Sequence, residues 1–392
     1  MRLNGLTHKH GNTVGCWPTE QQTLLLKATL LHGKEAMDSW TAWRTLVDLD
    51  NIDHESQMLL PLLYKNLLSS GVEDPDMSRY QGVQKKTWVK NQVILHEIWE
   101  LLQKFHAAGI NTMLLKGSAM ITLYYKDCGL RPMEDVDILI PVEKAKEAIQ
   151  ILFRQGWRIQ KNSGPAFNEK YPALTGENHF ENSRGLLLDV HWHLLDECLY
   201  AGGDDDFWMA SVHARPDGDL TVNVLNPADQ LFHLMVHAMR WNLQPLVRWV
   251  ADAMMILNNE QDIDWERIIS QAKSRRLILP VKNGLTYLHD FLGAPIPDHV
   301  LNEIRKTPVS PFEYQEFHFK SNSGKLFEGL VGTWFRYRRV ENRKSFTGRL
   351  WGFLKFLNYY MEVKHSWQLP VYIISYGIRK IRYSFKYWLN NR

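Results

Sequence analysis

The sequence predicts an α+β fold: a small mixed β-sheet set between extensive N- and C-terminal helical segments. Three observations predict it. Apolar residues recur at helical spacing over much of residues 19 to 109. The pattern then switches to strand, helix, strand, helix, strand, ending near Leu194. From Asn226 onward helical spacing returns.

The elements follow in order. TEQQTLLLKATLLHG has helical spacing and closes on a glycine, and ESQMLLPLLYKNLLSSG repeats the pattern with a proline that starts or kinks the helix. Residues 87 to 109, TWVKNQVILHEIWELLQKFHAAG, form a longer amphipathic helix whose apolar residues Val93, Ile94, Ile98, Leu101, Leu102 and Phe105 recur at helical spacing. INTMLLKG reads as a short strand ending at Gly117. SAMITLYYKD then starts a helix at Ser118, a favoured N-cap type. CGLRP is a turn, VDILIP a strand closed by Pro141, and VEKAKEAIQILFRQGW a helix stopped by Gly156. GLLLDVHWHL, residues 185 to 194, is the next strand. Asn226 and Pro227 open another helix as cap and first-turn residue, and further helices are expected at 245–258, 264–275 and 280–292, with Pro370 breaking a helical C-terminal region. This divides the chain into an N-terminal helical segment (1–83), a core (84–225), a helical domain (226–330) and a basic, aromatic C-terminal helical region (331–392).

Composition narrows the class. At 45% hydrophobic and 23% charged, the 392-residue chain reads as an ordinary folded protein without solenoid repeats. Cys16, Cys128 and Cys198 are far apart and form no metal-type cluster, which points to a reducing compartment. The N-terminus lacks a signal-peptide core, and no stretch approaches the roughly 20 apolar residues that span a bilayer. A cytoplasmic protein is expected. The net charge of +3 hides an asymmetry: from Trp334 to Arg392 there are 13 Lys/Arg against 2 Asp/Glu, a net +11, leaving −8 on the rest. A basic, aromatic tail fits either a peripheral membrane or polyanion contact, or a plain helical subdomain with snorkelling basic side chains.

One stretch carries chemistry. In LRPMEDVDILIPVE, Asp135 and Asp137 interrupt an apolar strand, with Glu134 beside them. Residues i and i+2 of a strand share a face, so the two carboxylates lie together while Val136 and Ile138 face the other way. Carboxylates held side by side repel unless a cation sits between them, and Mg²⁺ prefers such oxygens. Asp189 repeats the arrangement in LLLDVHWH, sharing a strand face with His191 and His193. Upstream, KGS puts a glycine and a small hydroxyl at a strand-to-helix turn, where free backbone N–H groups suit phosphate.

An apolar strand with Gly-Ser, a helix, an Asp-x-Asp strand and a later single acid resemble the nucleotidyltransferase superfamily with the DNA polymerase beta-like fold. Here these are LLKGS, EDVDILI and LLLDV. LLKGSAMITLYYKDCGLRPMEDVDILIP, VHWHL, ADQLFHLMVHAMRW and RWVADAMMIL look closer still to the bacterial uncharacterised nucleotidyltransferase family, over roughly residues 20 to 295. Residues 119 to 134 make the spacing between Ser118 and Asp135 longer than in compact superfamily members, as fits this branch. The resemblance implies Mg²⁺-dependent transfer of a nucleoside monophosphate from an NTP to a hydroxyl or phosphate of an acceptor. Gly117 and Ser118 would hold phosphates, with Lys116 and Arg131 as further phosphate contacts. Asp135 and Asp137 would bind Mg²⁺, and Asp189 a second ion while helping to deprotonate the acceptor. The resemblance leaves the acceptor open among a small molecule, a glycan, a peptide and a protein hydroxyl.

Plainer readings stand beside these. Lys116 can be a strand-end residue facing water, and Asp189 a salt-bridged core acid. His191 and His193 with Asp189 suggest zinc, although support of the acids or packing beside Trp192 suits them better. His233 and His237 share a helix face without a metalloprotease glutamate, and His237 and Asp252 are weak candidates for the acceptor side. The rival function is a non-catalytic NTP-binding regulator that keeps the fold. Nucleic-acid end modification ranks last, because no recognised nucleic-acid module is present.

Overall fold

The computed structural model describes residues 16–160, 166–169, 175–217, 220–239, 246–322, 330–341, 345–361, 363, 365–371 and 375. Four helices open the chain: Glu20–Leu30, Gly33–Leu46, His54–Gln57 and Leu60–Ser69. Thr19 starts the first with a reciprocal cap, its hydroxyl accepting from the Gln22 N–H while the Gln22 side chain accepts from the Thr19 N–H. Pro61 lies in the first turn of Leu60–Ser69, where its missing N–H costs nothing, so it starts that helix and does not kink it. The long helix runs Met77–Ala107, ten residues further upstream than its apolar periodicity suggests, and Val93, counted in its apolar set, is exposed beside the buried stripe of Ile94, Ile98, Leu101, Leu102 and Phe105.

The sheet has seven strands: β1 (Met113–Leu114), β2 (Asp135–Leu139), β3 (Arg158–Ile159), β4 (Glu177–Glu181), β5 (Leu187–His191), β6 (Val212–Asp217) and β7 (Leu220–Val224). Their spatial order is β3-β4-β5-β2-β1-β7-β6. β2 pairs with β5, and β1 with β7, in parallel; the other neighbours are antiparallel. The fold is therefore α+β with a mixed sheet, as expected, but β3, β4, β6 and β7 were not anticipated.

Each central strand is two-faced. Val136 and Ile138 of β2 and Leu188 and Val190 of β5 are buried in one apolar cluster with Ile94, Ile98 and Leu102 of the long helix and Ala148 and Leu152 of the Ala145–Arg154 helix. Each such side chain stabilises the fold by about 1.5–3 kcal/mol relative to exposure. Leu139 and Met113 join the second cluster, with Leu25, Leu63, Leu231, Met235 and Val250. The sheet is thus covered by helices from both ends of the chain, and the polar side chains of β2 and β5 lie at the boundary of that second cover.

The C-terminal half is helical as expected: Pro227–Ala238, Arg248–Asn259, Trp265–Ser274 and Ile278–Leu292. Asn226 caps the first of them through the Asp229 N–H. Asp298–Lys306, Pro311–Asn322, Leu330–Val340 and Phe346–Tyr360 follow. Pro370 does not break a helix; it lies inside a helical stretch at 369–371, near its start. Of the aromatic run at 371–388, only residues 371 and 375 fall within the described residues. Among the described residues no helix is long and apolar enough to cross a membrane.

The Gly-Ser turn also differs from expectation. The helix after β1 begins at Lys116, not at Ser118, and Leu115 is its cap. β1 is only two residues long, and Lys116 takes a left-handed φ of 43°, so the chain turns earlier. Ser118 is then inside the first turn, fully buried, its hydroxyl donating to the Leu115 carbonyl at 3.1 Å.

Candidate active site

Backbone pairing places the acids. In the parallel β2–β5 ladder Asp137 lies opposite Asp189, and in the antiparallel β4–β5 ladder Asp189 lies opposite His179. One step along, Leu139, His191 and Glu177 form the next row. Paired residues point to one face of a sheet, so Asp137, Asp189, His179, His191 and Glu177 share a face. Asp135, two residues before Asp137, joins them and is half-exposed.

Contacts knit this face together. The Asp137 carboxylate, 3% exposed, accepts from Lys116 Nζ at 2.6 Å and from His191 Nε2 at 3.0 Å on the same oxygen. His191 Nδ1 lies 2.7 Å from Glu177 Oε2. His179 Nδ1 lies 2.7 Å from Asp189 Oδ1. Asp137, Asp189 and His191 each bring a ligand atom within 4.8 Å of the other two. Lys116 is therefore neither a water-facing strand end nor free toward solvent. Its left-handed backbone, costing about 1–2 kcal/mol in a non-glycine residue, aims its ammonium at Asp137.

The electrostatics follow from burial and these partners. Burial works against ionising Asp137, but Lys116 and His191 outweigh it and hold the carboxyl far below the usual range. Burial would lower His191, yet Glu177 and Asp137 push it up to about 10, so both ring nitrogens donate. Glu177 is likewise held low against burial, chiefly by His191. His179 is raised by its hydrogen bond to Asp189. Asp135 goes the other way: burial, then the Asp137 and Asp189 charges, push it up to about 6. Asp135 makes no side-chain hydrogen bond among the described residues, so nothing but charge compensation relieves it.

Asp137 and Asp189 offer hard carboxylate oxygens, the donors that an oxygen-preferring divalent ion takes, and Asp135 lies on the same face outside this close group. His191 has both nitrogens committed to carboxylates and serves as a support, orienting Asp137 as outer partners orient metal ligands. The zinc trio with His193 does not form: β5 ends at His191, and His193 turns to Asp204, with Nδ1 to Oδ2 2.6 Å.

Arg131 comes from the segment before β2 and packs behind the Gly117 turn. Arg131 is 8% exposed and grips Asp252 with two hydrogen bonds of 2.8 and 2.7 Å, while Tyr125 donates to the same carboxylate at 3.0 Å. A Cβ on Gly117 would lie 2.6 Å from Arg131 Nη1, so only glycine lets the turn pass this close. Asp252 is thus a buried partner of Arg131 and does not line an acceptor cleft. The His233 and His237 rings stack edge to face with centroids 6.0 Å apart.

Glu177 and His179 were missed from sequence. Their strand reads ENHFE, and only Phe180 gives an apolar signal, because alternate residues face the acids. Glu177→Gln should weaken divalent-ion binding about 10- to 100-fold, as loss of outer partners does. Titration calorimetry with Mn²⁺ checks this; unchanged affinity would remove Glu177 from the site.

Acids from neighbouring strands beside a glycine-serine turn, on the mixed sheet of an α+β fold, define a site of the nucleotidyltransferase class. Residues 42–293 match the family model described as uncharacterised nucleotidyltransferase, and the chain belongs to that family. No curated protein matches the sequence.

Proposed function

We propose that the chain is a Mg²⁺-dependent nucleotidyltransferase that moves a nucleoside monophosphate from an NTP to a hydroxyl or phosphate of its acceptor. The observation that carries this reading is the register of β2 and β5, which sets Asp137 opposite Asp189 with Asp135 two residues away. Asp135 and Asp137 would hold one Mg²⁺, and Asp189 a second. Ions bound there would neutralise the triphosphate and the charge developing on the leaving pyrophosphate.

The protein's own groups divide the rest of the work. The turn at Gly117 and Ser118 would face the β- and γ-phosphates with its backbone N–H groups. Lys116, already beside Asp137, would exchange that contact for a phosphate oxygen as the nucleotide enters. Asp189, oriented by His179, would take the acceptor proton as the acceptor oxygen attacks the α-phosphorus and the bond to the β-phosphate oxygen breaks. Arg131 would act through position, holding the turn against Asp252.

The test is incubation of the protein with each α-labelled NTP and a cell extract, with and without a chelator. Expected is one labelled acceptor class, pyrophosphate release, and loss of both on chelation. NTP binding with no pyrophosphate release under any acceptor condition would favour the non-catalytic regulator instead.

A further inference from the structure

A second surface lies outside the acid-lined sheet face. The helix Phe346–Tyr360, FTGRLWGFLKFLNYY, contains Arg349 and Lys355 and no Asp or Glu. Its inner side is anchored: Phe353 packs 5.0 Å from Trp334 and 5.5 Å from Tyr337 between ring centroids, and Leu357 is buried with Val363 and Leu369. Leu350, Trp351, Leu354, Lys355 and Tyr359 are exposed, and their three- and four-residue spacing puts them on one face. Trp351 is 61% exposed and Leu350 50%. Lys355 Nζ sits 5.9 Å from the Trp351 ring centre. Trp367 and Val371, further along the chain, are also exposed, at 74% and 63%.

This face is amphipathic in an unusual sense: the helix buries one apolar side and exposes another. Leaving Trp, Leu and Tyr in water is unfavourable, and a contiguous exposed apolar patch marks an interaction surface. The charge selects the partner. The helix that carries the face holds Arg349 and Lys355 and no acid, within a stretch that is net +11 in sequence, so an anionic surface attracts it. Trp and Tyr beside Lys and Arg on a helix too short to span is the chemistry of a helix lying in a membrane interface.

We propose that the exposed Leu350–Trp351–Leu354 face docks the protein peripherally on an anionic lipid bilayer. Apolar side chains enter the headgroup boundary, and Arg349 and Lys355 of the same helix meet the anionic headgroups, each worth about fivefold in partitioning at low salt. This does not depend on the transferase reading.

The experiment is flotation of the full chain with phosphatidylcholine vesicles and with vesicles containing phosphatidylserine as well. Expected is binding to the anionic vesicles only, weakened by salt, and lost at least about tenfold in a Leu350→Ser, Trp351→Ser, Leu354→Ser triple variant. The altered side chains are exposed, so circular dichroism should show an unchanged fold. A Lys355→Glu variant gives a second reading and should also lose affinity. No anionic-vesicle binding, or equal binding by the variants, overturns the proposal. So does wild-type self-association that the triple variant abolishes without any vesicle binding, which would make the face a contact between copies. Salt-sensitive binding to RNA or DNA without vesicle binding overturns it equally.

Discussion

Asp135→Asn protein should lose nucleotidyl transfer about 10³-fold or more, about 4 kcal/mol of transition-state stabilisation, while remaining at least as stable as the wild type without divalent ions. The two expectations have one cause. Asp135 is pushed up to about 6 by burial and by the Asp137 and Asp189 charges, against an ordinary 3.8. A carboxyl raised in the folded state favours folding while protonated, and that contribution is lost as pH climbs from about 4 through about 6. At pH 7 the charge therefore costs stability that asparagine does not. Such a cost is expected where a group is kept for function. Thermal melts in chelator and labelling assays in Mg²⁺, run on the same preparation, check both halves. Retained transfer would sink the role of Asp135, and a large drop in melting temperature would make it a structural residue.

The second large effect concerns stability. Asp252→Ala should destabilise the fold by about 3–5 kcal/mol, because it leaves the Arg131 guanidinium buried without its partner. Asp252 is 1% exposed and also accepts from Tyr125, so the loss strands three donor groups on two side chains. Replacing both partners, Arg131→Met with Asp252→Leu, should recover most of that loss, since no uncompensated charge remains. Urea titrations of the single and double variants measure the difference. A single-variant loss below about 1 kcal/mol would show that the pair is solvated and not a buried clamp.

Legibility in the sequence tracked how each residue's environment writes itself into its neighbours. β2 was readable because Val136, Ile138 and Ile140 are all buried on one side, so the acids stood out against them. β5 was readable for the same reason, through Leu188 and Val190. β4 was not: Asn178 is buried but polar, bonding the Phe167 N–H, and Phe180 stands alone as an apolar marker. β7 carried a signal that went unused, the alternation of Leu220, Val222 and Val224, all buried. Pairings that depend on long-range approach left no local trace. Arg131 and Asp252 are 121 residues apart, and His191 meets Glu177 only because β4 folds back on β5. Phosphate contact was the natural sequence reading of Arg131, since a buried acid from a distant helix cannot be seen beside it in the chain.

The Arg131–Asp252 clamp also determines how the molecule can breathe. It ties the segment before β2, against which Gly117 packs, to the Arg248–Asn259 helix. Prising that contact apart would expose a guanidinium and a carboxylate stripped of each other, so the Gly117 turn and that helix should move together.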